Sequence, residues 1–300
     1  MPLETVAILS PGDMGHSVGR ALNNHGKQVI TFLEGRSMRT RELAEQANIR
    51  DVPSMQDLVS QADLILSILV PSKAVEVSLQ VAEALSSTGR DIAFADCNAV
   101  SPQNVVAISN NISSAGGRFI DASIIGGPPM RNSLPPRFYV SGQHSGIMDD
   151  LACDGIEICP LGDDIGRASA IKMCYAALTK GTQALQLALM IVAEAYGLAD
   201  ELASEFKFSQ NEVYRRMESG LPSIPSKAYR WIGEMEEIAA TFQAVGVTSF
   251  FHKGAGEIYK LLSETQLAKE TPENIDATRT LEDMISLINN HLVRGKYKVD

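Results

Sequence analysis

The sequence predicts an α/β domain with a mostly parallel sheet, followed by an all-α C-terminal domain, with one long interdomain helix between them. Short, near-continuous apolar runs alternate with segments of helical length up to about residue 163, and no strand pattern recurs past Ile165. The 300-residue length also exceeds what one hydrophobic core usually holds. The expected domains are 1–163 and 164–300.

Taken in order, residues 5–9, 28–33, 64–68 and 92–96 are apolar runs of strand length. Between and after them, 14–25, 40–47, 73–85 and 102–114 have helical length and period. Strands this uniformly apolar imply a parallel sheet covered on both faces. Three further short strands are expected at 119–124, 138–141 and 156–160. Residues 168–196 then read as one helix whose only weak point is Gly181. Later helices are expected at 209–218, 227–245, 253–269 and 274–292. The stretch 184–193 is apolar almost all round, which predicts burial on every side, at a domain or subunit interface. A homodimer built on the C-terminal domain follows.

Composition excludes several classes of partner. A net charge of −10 disfavours nucleic acid and anionic membranes, which need clustered cationic surface. Cys97, Cys153, Cys159 and Cys174 form no C-x-x-C pair and no zinc-ligand spacing, so no metal is expected. Scattered cysteines fit a reducing compartment. Met1-Pro2-Leu3-Glu4 runs straight into an apolar strand without a basic or hydrophobic leader pattern, and the apolar stretch 184–193 is too short to span a bilayer. The expected location is cytoplasmic.

The first strand runs into Ser10-Pro11-Gly12-Asp13-Met14-Gly15, and His16-Ser17-Val18-Gly19 opens a helix. A glycine turn at the first strand-to-helix junction brings backbone N–H groups against a pyrophosphate, which makes the domain a Rossmann dinucleotide binder. Ser10 stands where the fingerprint has its first glycine. The alternative is a tight turn that serves only packing. After the second strand, Glu34 would bind a ribose hydroxyl and favour NAD, whereas Arg36, Ser37 and Arg39 suit a 2′-phosphate and favour NADP. The charge count tips the reading to NADP, with a solvated helix start as the plainer alternative.

On the long helix, Ala168, Lys172, Tyr175, Ala176, Thr179 and Gln183 share one stripe, the only polar seam, and Lys172 is its charge. A lone helical lysine is usually solvated. Near the start of an apolar helix packed on a nucleotide domain, Lys172 can instead exchange a proton with a substrate oxygen as general acid/base. Lys180 points roughly 80° away round the helix and is the lesser candidate.

Together these segments resemble the β-hydroxyacid dehydrogenase and 6-phosphogluconate dehydrogenase superfamily. Its Gly-Leu-Gly-x-Met-Gly turn is answered by Ser10 to Gly15, and its leucine-proline strand end by Ile68-Leu69-Val70-Pro71. Its Asp-x-Ser-Thr-x-x-Pro segment is similar to Asp96-Cys97-Asn98-Ala99-Val100-Ser101-Pro102. Its Asp-Ala-Pro-Val-Ser-Gly-Gly segment is similar to Asp121-Ala122-Ser123-Ile124-Ile125-Gly126-Gly127. The Gly-x-Gly-x-x-x-Lys motif matches Gly166 to Lys172. The resemblance covers the first 180 residues or so.

It implies a hydride-transferring enzyme acting on an alcohol or carbonyl. Leu69, Val70, Pro71 and Asn98 would lie at the cofactor. Asn98, Ser101, Ser123, Gly126, Gly127, Tyr175, Ala176 and His252 would lie at the substrate, with Arg131 as a carboxylate ligand. Asn98 also reads as a turn or helix-cap residue, and His252 as part of an exposed loop before a helix. The family's asparagine four residues past the lysine is Ala176 here, its substrate serine is Ile125, and its Ser-Thr pair is Asn98-Ala99. The later Trp231-Ile232-Gly233-Glu234 stretch resembles a divergent subgroup with its own C-terminal domain. Retained lysine with altered anchors implies a bulkier or less charged substrate. The rival readings are imine reduction, whose enzymes tend to replace the lysine, and a non-catalytic NADPH-binding regulator, which has no need of it.

Overall fold

The computed structural model describes residues 2–129, 134–271 and 273–296, so Arg131 lies outside the described residues. The elements run β1 (Thr5–Leu9), α1 (Asp13–Asn24), β2 (Gln28–Thr31), α2 (Met38–Gln46), β3 (Arg50–Asp51), α3 (Met55–Gln61) and β4 (Leu64–Ser67). They continue α4 (Ala74–Thr88), β5 (Ala93–Asp96), α5 (Pro102–Ser114), β6 (Arg118–Ile125), β7 (Arg137–Ser141) and β8 (Glu157–Pro160). The helical part comprises α6 (Arg167–Ala195), α7 (Ala199–Ser209), α8 (Asn211–Gly220), α9 (Pro225–Ala244), α10 (Phe250–Ser263) and α11 (Leu281–Lys296).

The eight strands form one sheet in the order β3-β2-β1-β4-β5-β6-β7-β8. Every pairing is parallel except β6 with β7. Successive residues of one strand feed opposite cores: Val6 and Ile8 pack on one face of the sheet, Ala7 and Leu9 on the other. The same alternation holds for Leu64, Ile65 and Leu66 and for Ala93 and Phe94. That two-sided burial is why these strands lack a polar face. Strand order reverses between β1 and β4, the switch point at which ligands of such sheets bind.

Several elements depart from the expectation. The edge strand β3 and helix α3 were not read: Arg50 and Asp51 are both exposed, and α3 is short, its start fixed by the Ser54 hydroxyl accepting from Asp57 N–H. Helix α7 was missed because Ala203 is its one buried residue. Helix α10 starts and stops earlier than 253–269. The last helix starts at Leu281 rather than at residue 274, where Thr280 and Asp283 satisfy each other's N–H groups in a reciprocal cap.

Two compact units divide the chain, Met1–Met173 and Cys174–Asp300, ten residues past the expected break. The opening turns of α6 therefore belong with the sheet. Within the second unit, α9 and α10 pack together, and Trp231 sets its edge against Tyr259 at 5.2 Å between ring centroids. The expectation that 184–193 is buried on every side fails. Ala184, Leu187, Met190 and Ile191 are buried, but Leu185 is 65% exposed and Val192 54%. With Tyr175, Leu178 and Tyr196 they form an exposed stripe at spacings of three, four and seven. By length and composition alone, the whole of α6 is long and apolar enough to cross a bilayer, longer than the stretch read from the sequence. Polar partners inside the protein hold both of its lysines.

Candidate functional site

The nucleotide turn is built by backbone constraint. Ser10 sits at φ +60, in the left-handed region, and its carbonyl accepts the Gly12 N–H at 2.7 Å. Gly12 then starts α1 with no side-chain cap, so the helix offers its first-turn N–H groups outward. A Cβ on Gly15 would stand 3.2 Å from Ile8 Cγ2 and 3.3 Å from the Ser10 carbonyl oxygen. A Cβ on Gly12 would meet no protein atom nearer than 4.0 Å and would instead fill the open cradle. These features fit a dinucleotide pyrophosphate. His16 lies behind the turn, with Nδ1 2.8 Å from the Gly12 carbonyl oxygen. Gly19, one turn on, admits Ile49: a Cβ there would come within 2.6 Å of its Cδ1.

Past β2, Ser37 caps α2 by accepting from Thr40 N–H, which gives that hydroxyl a structural task. Arg39 reaches back to Asp13 in a half-exposed ion pair of 2.5 Å, and Arg36 is half-buried beside it in sequence. Glu34 is exposed.

At the ends of β4 and β5, Asn98 is a clamp. Its Oδ1 accepts from Leu69 N–H at 2.6 Å, and its Nδ2 donates to Ser67 Oγ at 2.9 Å and to Asp96 Oδ1 at 2.5 Å. Both amide hydrogens are thus engaged within the protein, and Oδ1 braces the Leu69-Val70-Pro71 loop. Ser101 caps α5 by accepting from Asn104 N–H. Asp96 is wholly buried, and its Oδ2 has no partner among the described residues. Burial, reinforced by the neighbouring Asp121 charge, pushes its carboxyl up to about 7, against the opposing hydrogen bonds from Asn98 and Ser67. Burial likewise pushes the Cys97 thiol up, so it is no nucleophile.

Asp121 on β6 is the most heavily hydrogen-bonded group of the site. Its Oδ2 accepts from Ser141 Oγ at 2.8 Å, Gly166 N–H at 2.8 Å, Ala168 N–H at 3.0 Å and Ser169 N–H at 3.3 Å. Its Oδ1 accepts from Ser169 Oγ at 2.7 Å. The first turn of α6 is therefore capped by a strand carboxylate 45 positions earlier in the chain. Lys172, on the next turn, donates from Nζ to the Ile124 carbonyl at 2.7 Å. The register pairs Ser67 with Asp96, Asp96 with Asp121 and Asp121 with Ser141, so one polar row crosses four strands, at the last residue of β4, β5 and β7 and midway along β6.

Of the expected site residues, the turn, the Leu69–Pro71 loop, Asn98, Ser101, Ser123, Gly126, Gly127 and Lys172 all fall in the first unit. Lys172 and the turn lie at the C-terminal ends of β6 and β1, strands three inter-strand steps or about 14 Å apart. Ser123 is buried with no hydrogen-bond partner among the described residues. Gly126 turns the chain at φ +122, where a Cβ would press 3.1 Å from Pro136 Cα, and Gly127 is exposed. Tyr175, Ala176 and His252 fall in the second unit, Tyr175 half-exposed and Ala176 buried. His252 is not in a loop: it lies in the first turn of α10, buried against Gly181 and edge-on to Phe242 at 4.5 Å. Burial pulls its imidazole below the usual histidine value. The sequence reading gave Asp121, Ser141 and Ser169 no role. The one available signal was an acid interrupting an otherwise apolar strand.

Comparison with known proteins agrees with this architecture. Residues 5–148 match the NAD binding domain of 6-phosphogluconate dehydrogenase, and residues 193–262 match a domain of unknown function, DUF1932. An uncharacterized 28.5 kDa protein of Methanothermus fervidus is 29% identical over 58% of this chain and 65% of its own length. The mitochondrial 3-hydroxyisobutyrate dehydrogenase of Drosophila melanogaster is 25% identical over 65% of this chain and 58% of its own. The matches thus span about three fifths of these relatives' lengths. Among solved structures, Mycobacterium tuberculosis 3-hydroxyisobutyrate dehydrogenase with L-serine superposes at TM-score 0.64, 18% identity, covering 97% of this chain and 99% of that one. An imine reductase from Myxococcus stipitatus in complex with NADP+ superposes at TM-score 0.52 and 16% identity, covering 87% and 93%. The fold is shared with both classes.

Proposed function

We propose that this member of the β-hydroxyacid and 6-phosphogluconate dehydrogenase superfamily, carrying a divergent C-terminal domain, is an NADP-dependent oxidoreductase. It moves a hydride between the nicotinamide and an alcohol or carbonyl substrate, with Lys172 as general acid/base. One observation carries the reading: the Lys172 ammonium is held at the end of β6, on the same sheet edge as the uncapped helix N-terminus after β1.

The bound dinucleotide supplies the hydride. The turn from Ser10 to Gly15 receives its pyrophosphate, and the Leu69–Pro71 loop, braced by Asn98, lines the route to the lysine. Arg36 and Arg39 support a 2′-phosphate, Arg39 exchanging its Asp13 partner for it. In the reducing direction Lys172 gives a proton to the carbonyl oxygen, and in the oxidising direction it takes one from the hydroxyl. Apolar Ile125 and Ala176 in place of polar anchors favour a bulkier, less charged hydroxyacid-like substrate.

The reading extends to assembly. The exposed stripe of Tyr175, Leu178, Leu185 and Val192 supports a homodimer, which Leu185→Lys should dissociate in light scattering. Imine reduction is the second reading, supported by the shared fold. The test is a titration of NADPH against NADH, then an aldehyde, keto-acid and imine panel on wild type and Lys172→Met. Turnover in the variant near the wild-type rate would sink the acid/base role, and a response to imines alone would select the second reading.

A further inference from the structure

We infer that Asp121 is the positioning residue for Lys172, acting by fixing both the start and the rotation of α6. This deepens the proposed function and rests on its assignment of Lys172. A helix tied to a sheet at a single point can still turn about its own axis, and a side chain one turn further on sweeps with it. Here the opening of α6 is tied to β6 twice. Asp121 takes the N–H groups of Gly166, Ala168 and Ser169 and the Ser169 hydroxyl, and three residues along the same strand the Ile124 carbonyl takes Nζ of Lys172.

The dimensions agree. Three strand residues advance about 10 Å, and the four helical residues from Ala168 to Lys172 rise about 6 Å, leaving the lysine's extended arm to cover the rest. Asp121 is also well fitted to hold rather than to react. Its oxygens accept five hydrogen bonds, from Ser141, Gly166, Ala168 and Ser169, and it is fully buried. A carboxylate also favours the positive end of the helix dipole it caps, which a neutral isostere does far less. Gly166, at φ +100 and 3.4 Å from Pro102 at its missing Cβ, lets the chain enter this cap.

The experiment uses the full chain and two readouts. Lysines are reductively methylated with 13C-formaldehyde, the Lys172 signal being assigned by its loss in Lys172→Arg. Steady-state kinetics use the substrate that responds in the panel. Asp121→Asn keeps the shape and an acceptor oxygen. It should lower kcat roughly 10²-fold, the effect of about 1 Å of misplacement, while NADPH affinity changes less than about threefold. Its Lys172 resonance should move towards that of a free lysine, and the kcat–pH limb assigned to Lys172 should shift with it. A role confined to helix stability would lower the melting temperature and leave both the resonance and kcat per folded molecule in place, which overturns the inference.

Should Asp121→Asn not fold, Ser169→Ala removes one donor and decides the matter. A smaller fall in kcat with a shifted Lys172 resonance supports the inference, and an unmoved resonance with unmoved kcat rejects it. Lys172→Met separates the two claims. If Lys172→Met is inactive and Asp121→Asn is fully active, only the inference fails. If Lys172→Met is active, the acid/base reading fails, and the resonance alone judges Asp121.

Discussion

Lys172 and Lys180 stand eight residues apart on α6 and meet opposite surroundings. Lys172 reaches a peptide carbonyl at the open edge of a sheet. Lys180 lies 5.0 Å over the Trp231 ring and pairs with Glu234, which is itself buried and whose Oε1 has no partner among the described residues. The Lys180 backbone carbonyl accepts the Tyr259 hydroxyl at 2.6 Å. One ammonium ties α6 to β6 and, on the proposed function, meets the substrate. The other ties α6 to α9 inside the second unit. The lesson is that the same side chain on the same helix takes its role from the acceptor it is given, carbonyl or carboxylate, and from the room left around it.

The sharpest way to break this contrast is to remove each amine in turn. Lys172→Met should cost roughly 10²–10⁴-fold in kcat with little change in stability, whereas Lys180→Met should leave kcat per folded molecule near wild type. A comparable kinetic loss in both would erase the distinction. Next in size, Lys180→Met should lose about 3 kcal/mol in denaturant unfolding, because Glu234 is left buried without its partner, and adding Glu234→Gln should recover much of that.

A third test concerns pH. Asp96 has its carboxyl raised to about 7 in the folded chain, from an ordinary value near 4 when unfolded. Between those values the folded state holds a proton that the unfolded state has lost, so stability falls as pH rises from about 4 to 7. Asp96→Asn should flatten this slope and be the more stable protein at pH 8, by on the order of 2 kcal/mol given relaxation of a buried site. Parallel unfolding curves at pH 5 and pH 8 for both proteins check it. The smallest effect belongs to Ser10→Gly. Relief of the left-handed strain at φ +60 should gain up to about 1 kcal/mol, seen as a rise in melting temperature.

How far the sequence spoke depends on whether the relevant partners were local. Strands β1, β4 and β5 were legible because burial on both faces leaves polar residues only at their ends, Thr5, Ser67 and Asp96. The nucleotide turn was legible because its geometry is set within a few residues. Lys172 showed as the one charge on the polar stripe of an apolar helix. Asp121 did not show, since three of its five donors are backbone N–H groups more than forty residues away and the other two are serine hydroxyls from distant elements. Helix α10 reads from residue 253, with His252 in a loop before it, whereas it begins at Phe250 and ends at Ser263. Residues 184–193 misled because composition tells which side chains are apolar and not how many neighbours exist to cover them.

The break between units falls one residue beyond Lys172, at Met173, so the lysine and everything that orients it travel with the nucleotide domain. On the proposed function, the whole helical portion can therefore be exchanged or remodelled without dismantling the proton-handling apparatus. That division accounts for a standard nucleotide module joined to a C-terminal domain of a different kind.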